Sequence, residues 1–212
     1  MLNKSIALVG LAALLALGSV APAAAGVVFS DTFNAENGGT GALNYTGFSN
    51  WNVTQGTVDL IGNGFFDFYP GNGLYVDMDG STGQNGGLTS KQTFAAGSYI
   101  LSFNLAGSAR GDINTVEVKL GSLDQFITLG SSAPFNPAMS FALTITTPDA
   151  LSFTQTDSCT GSPPSATCHG GDNIGLILDN VTLATAVPEP SSLLLLGAAL
   201  AGAGFIRRRR AR

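Results

Sequence analysis

Basic residues are almost absent from the middle of this 212-residue chain. Between residues 26 and 187 there are three of them, against thirteen acidic residues, so this region carries a formal charge of −10. Binding to nucleic acid phosphates requires a basic patch or stripe, and the deficit therefore argues against nucleic acid as a partner. An excess of negative charge suits an exported protein that stays soluble and attracts cations.

Histidine and cysteine are also scarce, which restricts the available chemistry. The single histidine, His169, lies beside Cys168, and a metal or cysteine-nucleophile site would have to combine these two with Asp172. The second cysteine is Cys159, and two cysteines nine positions apart in an exported protein favour a disulfide. In the loop-entropy model such a closure contributes ~3 kcal/mol, less any strain. We predict a disulfide between Cys159 and Cys168.

No catalytic motif is present in the sequence. A serine hydrolase would have to recruit His169, and the G-x-S-x-G motif is missing. Glycoside hydrolysis requires two carboxylates about 5 to 9.5 Å apart across a cleft, and the sequence singles out no such pair. We expect no enzymatic activity. A secreted glycan hydrolase is the alternative that an acidic pair in a cleft would support.

The N-terminus has the features of a secretory signal peptide. One lysine precedes an apolar run from Ile6 to Leu17, and Ala23, Ala24 and Ala25 follow. Signal peptidase cleaves after small residues of this kind, so we predict cleavage between Ala25 and Gly26, with residues 1–25 removed. The apolar run is shorter than the ~20 residues of a membrane-spanning helix, and an uncleaved N-terminal anchor is the alternative.

The C-terminus combines an apolar segment with a cluster of arginines. Residues 191–206 contain no charge and predict a transmembrane helix about 24 Å long, slightly short of the ~30 Å hydrocarbon core. Flanking arginines can snorkel and the bilayer can thin, so the segment can hold a membrane. Positive charge stays on the cytoplasmic side, which leaves the preceding domain outside. The charge pattern alone is compatible with a plain tail anchor. The clustered arginines are Arg207, Arg208, Arg209 and Arg210.

The residues before this helix point to a sorting signal. Val187, Pro188, Glu189 and Pro190 precede it, and the two prolines keep the chain extended around the glutamate. Motif, helix and terminal arginines together resemble the PEP-CTERM sorting signal of Gram-negative, polysaccharide-producing bacteria. The resemblance implies that exosortase, a membrane enzyme with a cysteine nucleophile, cuts near the motif. The protein would then pass from the inner membrane to the cell surface or extracellular matrix. The resemblance assigns residues 188–212 to the sorting signal.

Between the two ends, turn signals separate short β-rich runs, and no sustained helical periodicity appears. Apolar and polar residues alternate in residues 98–105, 115–120 and 140–145. Strands of this kind bury one face and expose the other, which predicts two antiparallel sheets packed as a sandwich. About ten strands in roughly 160 residues favour an all-β jelly roll for residues 26–187.

Four segments of this region resemble carbohydrate-binding modules and galactose-binding-like sandwiches. They are FSDTF, GLYVDMDGS, FAAGSYILSFNLAG and DNIGLILDNVTL. The resemblance implies a non-catalytic domain that binds polysaccharide, and a purely structural surface protein without a ligand is the alternative. Sugar-binding faces expose aromatic rings, which makes Tyr45, Trp51 and Tyr69 the candidates for ligand binding. Burial in the core is the alternative for each, and it is favoured for Trp51.

One carboxylate of the last predicted strand is unusual, because Asp179 lies in phase with apolar residues. Burial of a carboxylate is costly unless it is hydrogen-bonded or bound to a cation. Related sandwiches hold a structural calcium between their first and last strands, so the resemblance implies a calcium site at Asp31, Glu36 and Asp179. A β-bulge near Asn180 that turns the carboxylate outward or onto backbone amides is the alternative. Residues 77–81 also resemble a calcium loop, but a strand followed by an Asp-Gly turn explains them more simply.

Overall fold

The structure is a computed structural model that describes residues 25–135, 138–156 and 172–186. These ranges contain eleven β-strands and a single 3₁₀ turn at Glu36–Gly39. The strands are β1 (Val27–Asp31), β2 (Trp51–Gln55), β3 (Asp59–Gly62), β4 (Leu74–Asp77), β5 (Gly87–Phe94), β6 (Gly97–Ala106), β7 (Ile113–Leu120), β8 (Leu123–Gly130), β9 (Met139–Ile145), β10 (Asp149–Gln155) and β11 (Ile177–Thr185).

The strands form two antiparallel sheets. The first sheet has the order β3-β4-β11-β6-β9, with β1 also paired to β11, and the second has the order β2-β5-β10-β7-β8. β4 and β1 pair with successive parts of β11, since Ile177 lies opposite Asp77 whereas Val181 lies opposite Asp31. All strand pairings in the described ranges are antiparallel, so the predicted all-β, antiparallel architecture is confirmed.

The main hydrophobic core lies between the two sheets. The rings of Phe103 in β6 and Phe153 in β10 meet edge to face with centroids 5.0 Å apart. In the same core, Phe29 in β1 meets Trp51 in β2 in the same geometry at 5.3 Å. Such aromatic pairs contribute about 0.5–1.5 kcal/mol beyond the area that they bury. They hold the two sheets face to face as a sandwich.

A second, smaller hydrophobic cluster covers the outer face of the first sheet. In β3 and β4, Leu60 and Val76 point into the main core, whereas Ile61 and Tyr75 point to the opposite face. Residues 63–73, which we call the aromatic loop, fold back over this face. Both faces of β3 and β4 are therefore buried. The loop residues that pack on the second cluster are Phe65, Phe68 and Tyr69.

Hydrogen bonds fix the aromatic loop to the sheet. The Tyr75 hydroxyl accepts a hydrogen bond from the Tyr69 amide at 2.9 Å and donates one to Asp67 Oδ1 at 2.8 Å. The Tyr69 hydroxyl donates to the Gly107 carbonyl at 2.7 Å. At the base of the loop, the Asn63 amide donates to the Gly73 carbonyl at 3.2 Å. The loop is thus held at both ends and in the middle.

Residues Ala25–Ala186 form one compact unit. Gly26, the predicted first residue of the mature protein, joins the β1–β11 pair, since its amide donates to Thr185 Oγ1 at 2.9 Å. Within the described ranges no helix is long and apolar enough to cross a membrane. The predicted signal peptide, the predicted C-terminal helix with its arginines, and the cysteine pair Cys159 and Cys168 lie outside the described residues and stay predictions.

Candidate functional site

A cavity of about 360 Å³ opens on the outer face of the first sheet, at its β3–β4 edge. Sites for small ligands typically measure about 300–1,000 Å³ and combine an apolar lining with a few convergent polar groups. This cavity has that composition. We call it the Phe66 cavity. Its lining residues are the apolar Leu43, Ile61, Phe66 and Phe68 and the polar Asp59, Asp77, Ser81, Arg110 and Asn173.

The aromatic loop presents one ring at the rim of this cavity. Phe66 is 56% exposed, while its neighbour Phe65 packs on the outer-face cluster and meets the Phe66 ring edge to face at 4.9 Å. The backbone of Phe66 has φ 44°, a left-handed conformation that is unusual for a bulky residue. Such conformations cost about 1–3 kcal/mol and cluster at functional sites. The backbone thus holds the Phe66 ring exposed on the rim of the cavity.

Arg110 is fixed in the wall of the cavity by three contacts. Its Nη2 forms an ion pair with Asp77 Oδ2, and its Nη1 donates to Asn173 Oδ1 at 2.8 Å. The guanidinium also lies 4.9 Å above the ring of Phe68. The turn between β6 and β7 directs the side chain there, and Ala109 in this turn has φ 58°. The guanidinium is therefore held in one orientation.

Two carboxylates lie side by side in the cavity, because Asp59 and Asp77 are directly opposite each other on β3 and β4. Asp59 Oδ1 accepts from the amides of Asn44 at 2.6 Å and Ser81 at 3.1 Å, and Oδ2 accepts from Ser81 Oγ at 2.7 Å. Asp77 Oδ1 accepts from the amide of Gly175 at 2.9 Å. Burial raises the pKa of Asp77 to about 7, and the Asp59 charge adds to this while Arg110 opposes it.

Trp51, a candidate residue for sugar binding, does not lie at the surface. Its side chain is fully buried, and its indole Nε1 donates to Asp31 Oδ2 at 2.9 Å. Its ring packs against Phe153 at 5.8 Å because β2 directs this position into the main core. Trp51 is closed to a sugar and forms part of the core, which is the alternative that the sequence favoured.

Tyr45 and Tyr69 are half-buried and do not line the Phe66 cavity. The Tyr45 ring packs against Phe48 at 4.7 Å, and the Tyr69 ring packs against Phe135 at 4.8 Å. Tyr69 thus anchors the aromatic loop. The sequence analysis missed Phe66, although the signal was there in FFDFY, a dense aromatic run bracketed by Gly-Asn-Gly on both sides.

The three predicted calcium ligands are not brought together. Asp31 and Glu36 line a smaller cavity of about 270 Å³, and Asp179 is not among its lining residues. Asp31 Oδ1 accepts from the Phe33 amide at 2.8 Å, and both Glu36 oxygens accept from the Ser49 amide, at 2.8 and 3.0 Å. Across the described part of the chain, no three acidic, histidine or cysteine side chains are placed to hold a metal ion. The calcium site stays a prediction without geometric support.

Asp179 sits at a β-bulge. The pairing of β11 with β6 shifts register between Asp179 and Thr182, and Asn180 has φ 52°. Asp179 Oδ1 accepts from the Asn180 amide at 2.7 Å, so the carboxylate is turned onto a backbone amide, as the alternative interpretation states. Burial raises the pKa of Asp179 to about 7, and the negative charge of Asp31 adds to the effect.

Residues 186–210 match the PEP-CTERM protein-sorting motif. This confirms the sorting signal that the sequence analysis recognised, and it indicates an exported protein that is sorted through the membrane. The individual roles of the proline, glutamate and arginine residues stay predictions. No curated protein matches the chain.

Several solved carbohydrate-binding modules are similar to the domain, as the sequence resemblance predicts. A family 35 module from Clostridium thermocellum is 12% identical with a TM-score of 0.39, over 69% of this chain and 99% of that one. A mutant family 29 module is 14% identical with a TM-score of 0.34, over 77% and 92%. The CBM22-1–GH10 modules of a Clostridium thermocellum xylanase are 14% identical with a TM-score of 0.42, over 76% and 28%. At these TM-scores the similarity identifies neither a ligand nor a site.

Proposed function

We propose that this protein is exported, is processed by exosortase, and binds polysaccharide at the cell surface or in the extracellular matrix without cleaving it. The sorting motif at residues 186–210 supports the route. The binding role rests on the Phe66 cavity in an antiparallel β-sandwich, and above all on Phe66, an exposed ring held at positive φ on its rim.

The cavity supplies the two kinds of contact that a sugar ring needs. The apolar face of a pyranose stacks on an aromatic ring, and Phe66 offers such a surface beside Leu43, which is also exposed. The hydroxyl groups need acceptors and donors at the ring edge. Asp59 and Ser81 provide oxygen acceptors there, and Asn173 has an amide with a free donor capacity beyond its bond to Arg110. Stacking and edge contacts together favour a glycan.

A hydrolase is the second candidate, because Asp59 and Asp77 form an acidic pair in a cavity. The two residues lie directly opposite each other on neighbouring strands, and retaining glycosidases also use two closely spaced carboxylates, about 5–5.5 Å apart. A general acid must present a proton to the leaving group, but Asp77 Oδ2 is paired with Arg110 and its Oδ1 accepts from backbone amides. Asp77 is thus bonded as a structural carboxylate. We therefore favour binding without cleavage.

We propose that export and processing take place in three steps. Signal peptidase removes residues 1–25, the C-terminal helix holds an inner-membrane intermediate, and exosortase cuts near Val187 to Pro190 in a Gram-negative bacterium. Mass spectrometry of the protein from its host should then find a chain that begins at Gly26 and ends near the motif. Surface-located protein that still ends at Arg212 would contradict processing and restore a plain tail anchor.

Binding is tested by screening the full chain on a glycan array and measuring the affinity for each glycan that it retains. We expect Phe66→Ala to weaken binding by tenfold or more, because it removes the ring on which the sugar stacks, and a loss of about 1.4 kcal/mol corresponds to tenfold. Phe126→Ala is the matched control, because Phe126 is 62% exposed but lies on β8 of the second sheet. Equal loss in both variants, or no bound glycan at all, would refute the proposal. Release of shortened oligosaccharides would favour the hydrolase.

A further inference from the structure

The Phe66 cavity contains one more negative charge than positive charge. Asp59, Asp77 and Arg110 are its charged residues, and the guanidinium is already paired with Asp77. Asp59 has no such partner, since its hydrogen-bond donors are two backbone amides and a hydroxyl. The residue is 5% exposed. Asp59 is thus a buried carboxyl group that has hydrogen-bond donors but no ion-pair partner among the described residues.

The basic residues of the described domain cannot supply the missing charge. Lys91 donates from Nζ to the Phe48 carbonyl at 2.5 Å, and Lys119 pairs with Glu117 at 2.6 Å. Arg110 is bound to Asp77. These three are the basic residues between the two ends of the chain. A positively charged partner for Asp59 would therefore come from a ligand or from residues outside the described ranges.

The residues that line the Phe66 cavity indicate which kind of cation could bind beside Asp59. A divalent metal ion requires several converging oxygen ligands, and the described residues provide no group of three acidic, histidine or cysteine side chains for one. The cavity instead combines one unpaired carboxylate with exposed apolar surface at Phe66 and Leu43. An organic cation that carries its own apolar face fits both features.

We propose that the polysaccharide bound here carries free amino groups, with the sugar ring on Phe66 and its ammonium group beside Asp59. This inference rests on the proposed function and names its substrate class. Asp59 Oδ2 accepts a single protein hydrogen bond and has capacity for another. A charge-assisted hydrogen bond from an ammonium to this oxygen is roughly twice as strong as a neutral one. An anionic glycan rich in uronic acids would instead meet a cavity of net negative charge.

The experiment compares two hexasaccharides that differ only at nitrogen. Binding of the full chain to a glucosamine hexamer and to its fully N-acetylated counterpart is measured by calorimetry near pH 6, where most of the amino groups are protonated, with a galacturonic acid hexamer as the anionic probe. We expect the amino hexamer to bind at least tenfold more tightly than the acetylated one. This preference should decline as salt increases, because it depends on charge. The galacturonic acid hexamer should bind most weakly.

Asp59→Asn is the decisive variant. Its Oδ1 keeps both backbone donors, and its side-chain NH2 group can donate to Ser81 Oγ in place of the hydrogen bond that Oδ2 accepted, so the fold should persist. We expect the preference for the amino hexamer to fall below about threefold, with binding of the acetylated hexamer unchanged. Asp124→Asn is the control, since it makes the same charge change on an exposed side chain of β8. If Asp59→Asn fails to fold, the salt dependence of the unmodified chain still decides.

The outcomes separate the two proposals. Equal binding of both hexamers through Phe66 would overturn the amino-sugar inference and leave the binding function intact. Tighter binding of the galacturonic acid hexamer, or a preference for the amino hexamer that appears only with added calcium, would also overturn it. No binding of any glycan, on the array or in calorimetry, would refute the binding function itself.

Discussion

The outer faces of the two sheets differ in what lies on them. On the second sheet the outer face is polar and open, with hydroxyl pairs between neighbouring strands, Thr54 with Thr89 at 3.0 Å and Thr115 with Thr128 at 2.8 Å. On the first sheet, near β3 and β4, the outer face is covered by the aromatic loop and carries buried charges. Solvated hydroxyl ladders stabilise a sheet without creating a cavity, whereas a loop folded onto a face creates one.

The two outer faces differ in how well they tolerate substitutions. The exposed positions of the second sheet can exchange polar residues at little cost, and surface substitutions of this kind usually stay within about 0.5 kcal/mol. The covered face of the first sheet combines strained backbone at Phe66 with buried carboxylates at Asp59 and Asp77. Such costs are retained where they serve a site. The three predictions below test this contrast.

The largest effect should come from the core that the two faces share. Phe103 of β6 is fully buried and packs against Phe153 of β10. Phe103→Ala should therefore lower the free energy of unfolding by about 3–5 kcal/mol. Phe126→Ala, on the open face of the second sheet, should change it by less than about 0.5 kcal/mol. Urea unfolding followed by tryptophan fluorescence measures both. Similar losses in the two variants would mean that Phe126 is covered in solution.

An intermediate effect is expected from the hydroxyl that ties down the aromatic loop. Tyr75→Phe removes the partner of both the Tyr69 amide and Asp67, which should cost about 1–3 kcal/mol and speed amide exchange across residues 63–73. Tyr99→Phe is the control, since that hydroxyl donates to a single acceptor, the Ala95 carbonyl. Glycan affinity should fall in Tyr75→Phe and persist in Tyr99→Phe. A loop that exchanges at the same rate in both would show that packing alone holds it.

A smaller effect should appear with pH. Burial raises the pKa of Asp179 from its ordinary value near 4 to about 7, so between these values the folded state binds more protons than the unfolded state. Asp179 therefore contributes stability at low pH that is lost as pH rises through about 7. Asp77, whose pKa is also raised to about 7, acts in the same direction.

We expect Asp179→Asn to reduce the decline of stability between pH 4 and pH 7, as measured by denaturant unfolding at a series of pH values. The exposed Asp124→Asn variant should leave the slope unchanged. If the slope is the same in all three proteins, Asp179 is not held as a buried carboxylate.

Where apolar and polar residues alternate along a strand, the sequence predicted which side chains are buried and which are exposed. In β6, Leu101 and Phe103 are buried and Ile100 is exposed, as the pattern in residues 98–105 indicates. The same reasoning was incomplete for β3 and β4, where both faces are buried because the loop that connects the two strands covers one of them. Short strands of four residues carry too little pattern to reveal such a cover.

The candidate site was harder to predict because it depends on contacts far apart in sequence. Arg110, Asn173 and Asp77 lie on separate segments and meet through the order of the sheet. Asp179 shows a related problem, since a one-residue bulge at Asn180 changes the face that follows it, and alternation counted across a bulge gives the wrong phase. The Gly-Asn-Gly brackets around FFDFY were the one local signal of the site.

The two Gly-Asn-Gly segments fix the points at which the aromatic loop leaves and re-enters the first sheet. Gly62 and Gly73 both have positive φ, and an added Cβ at Gly62 would collide with the Gly73 carbonyl while one at Gly73 would collide with the Asn34 amide. The loop therefore enters and leaves the sheet through two points that accept no side chain, and its closed base makes it a compact surface loop packed by its own residues. Between these points Phe65, Phe68 and Tyr69 are held by their packing on β3 and β4, whereas the exposed Phe66 side chain can change without disturbing either strand. A substitution at this one rim position would therefore alter the proposed binding surface and leave the two sheets in place.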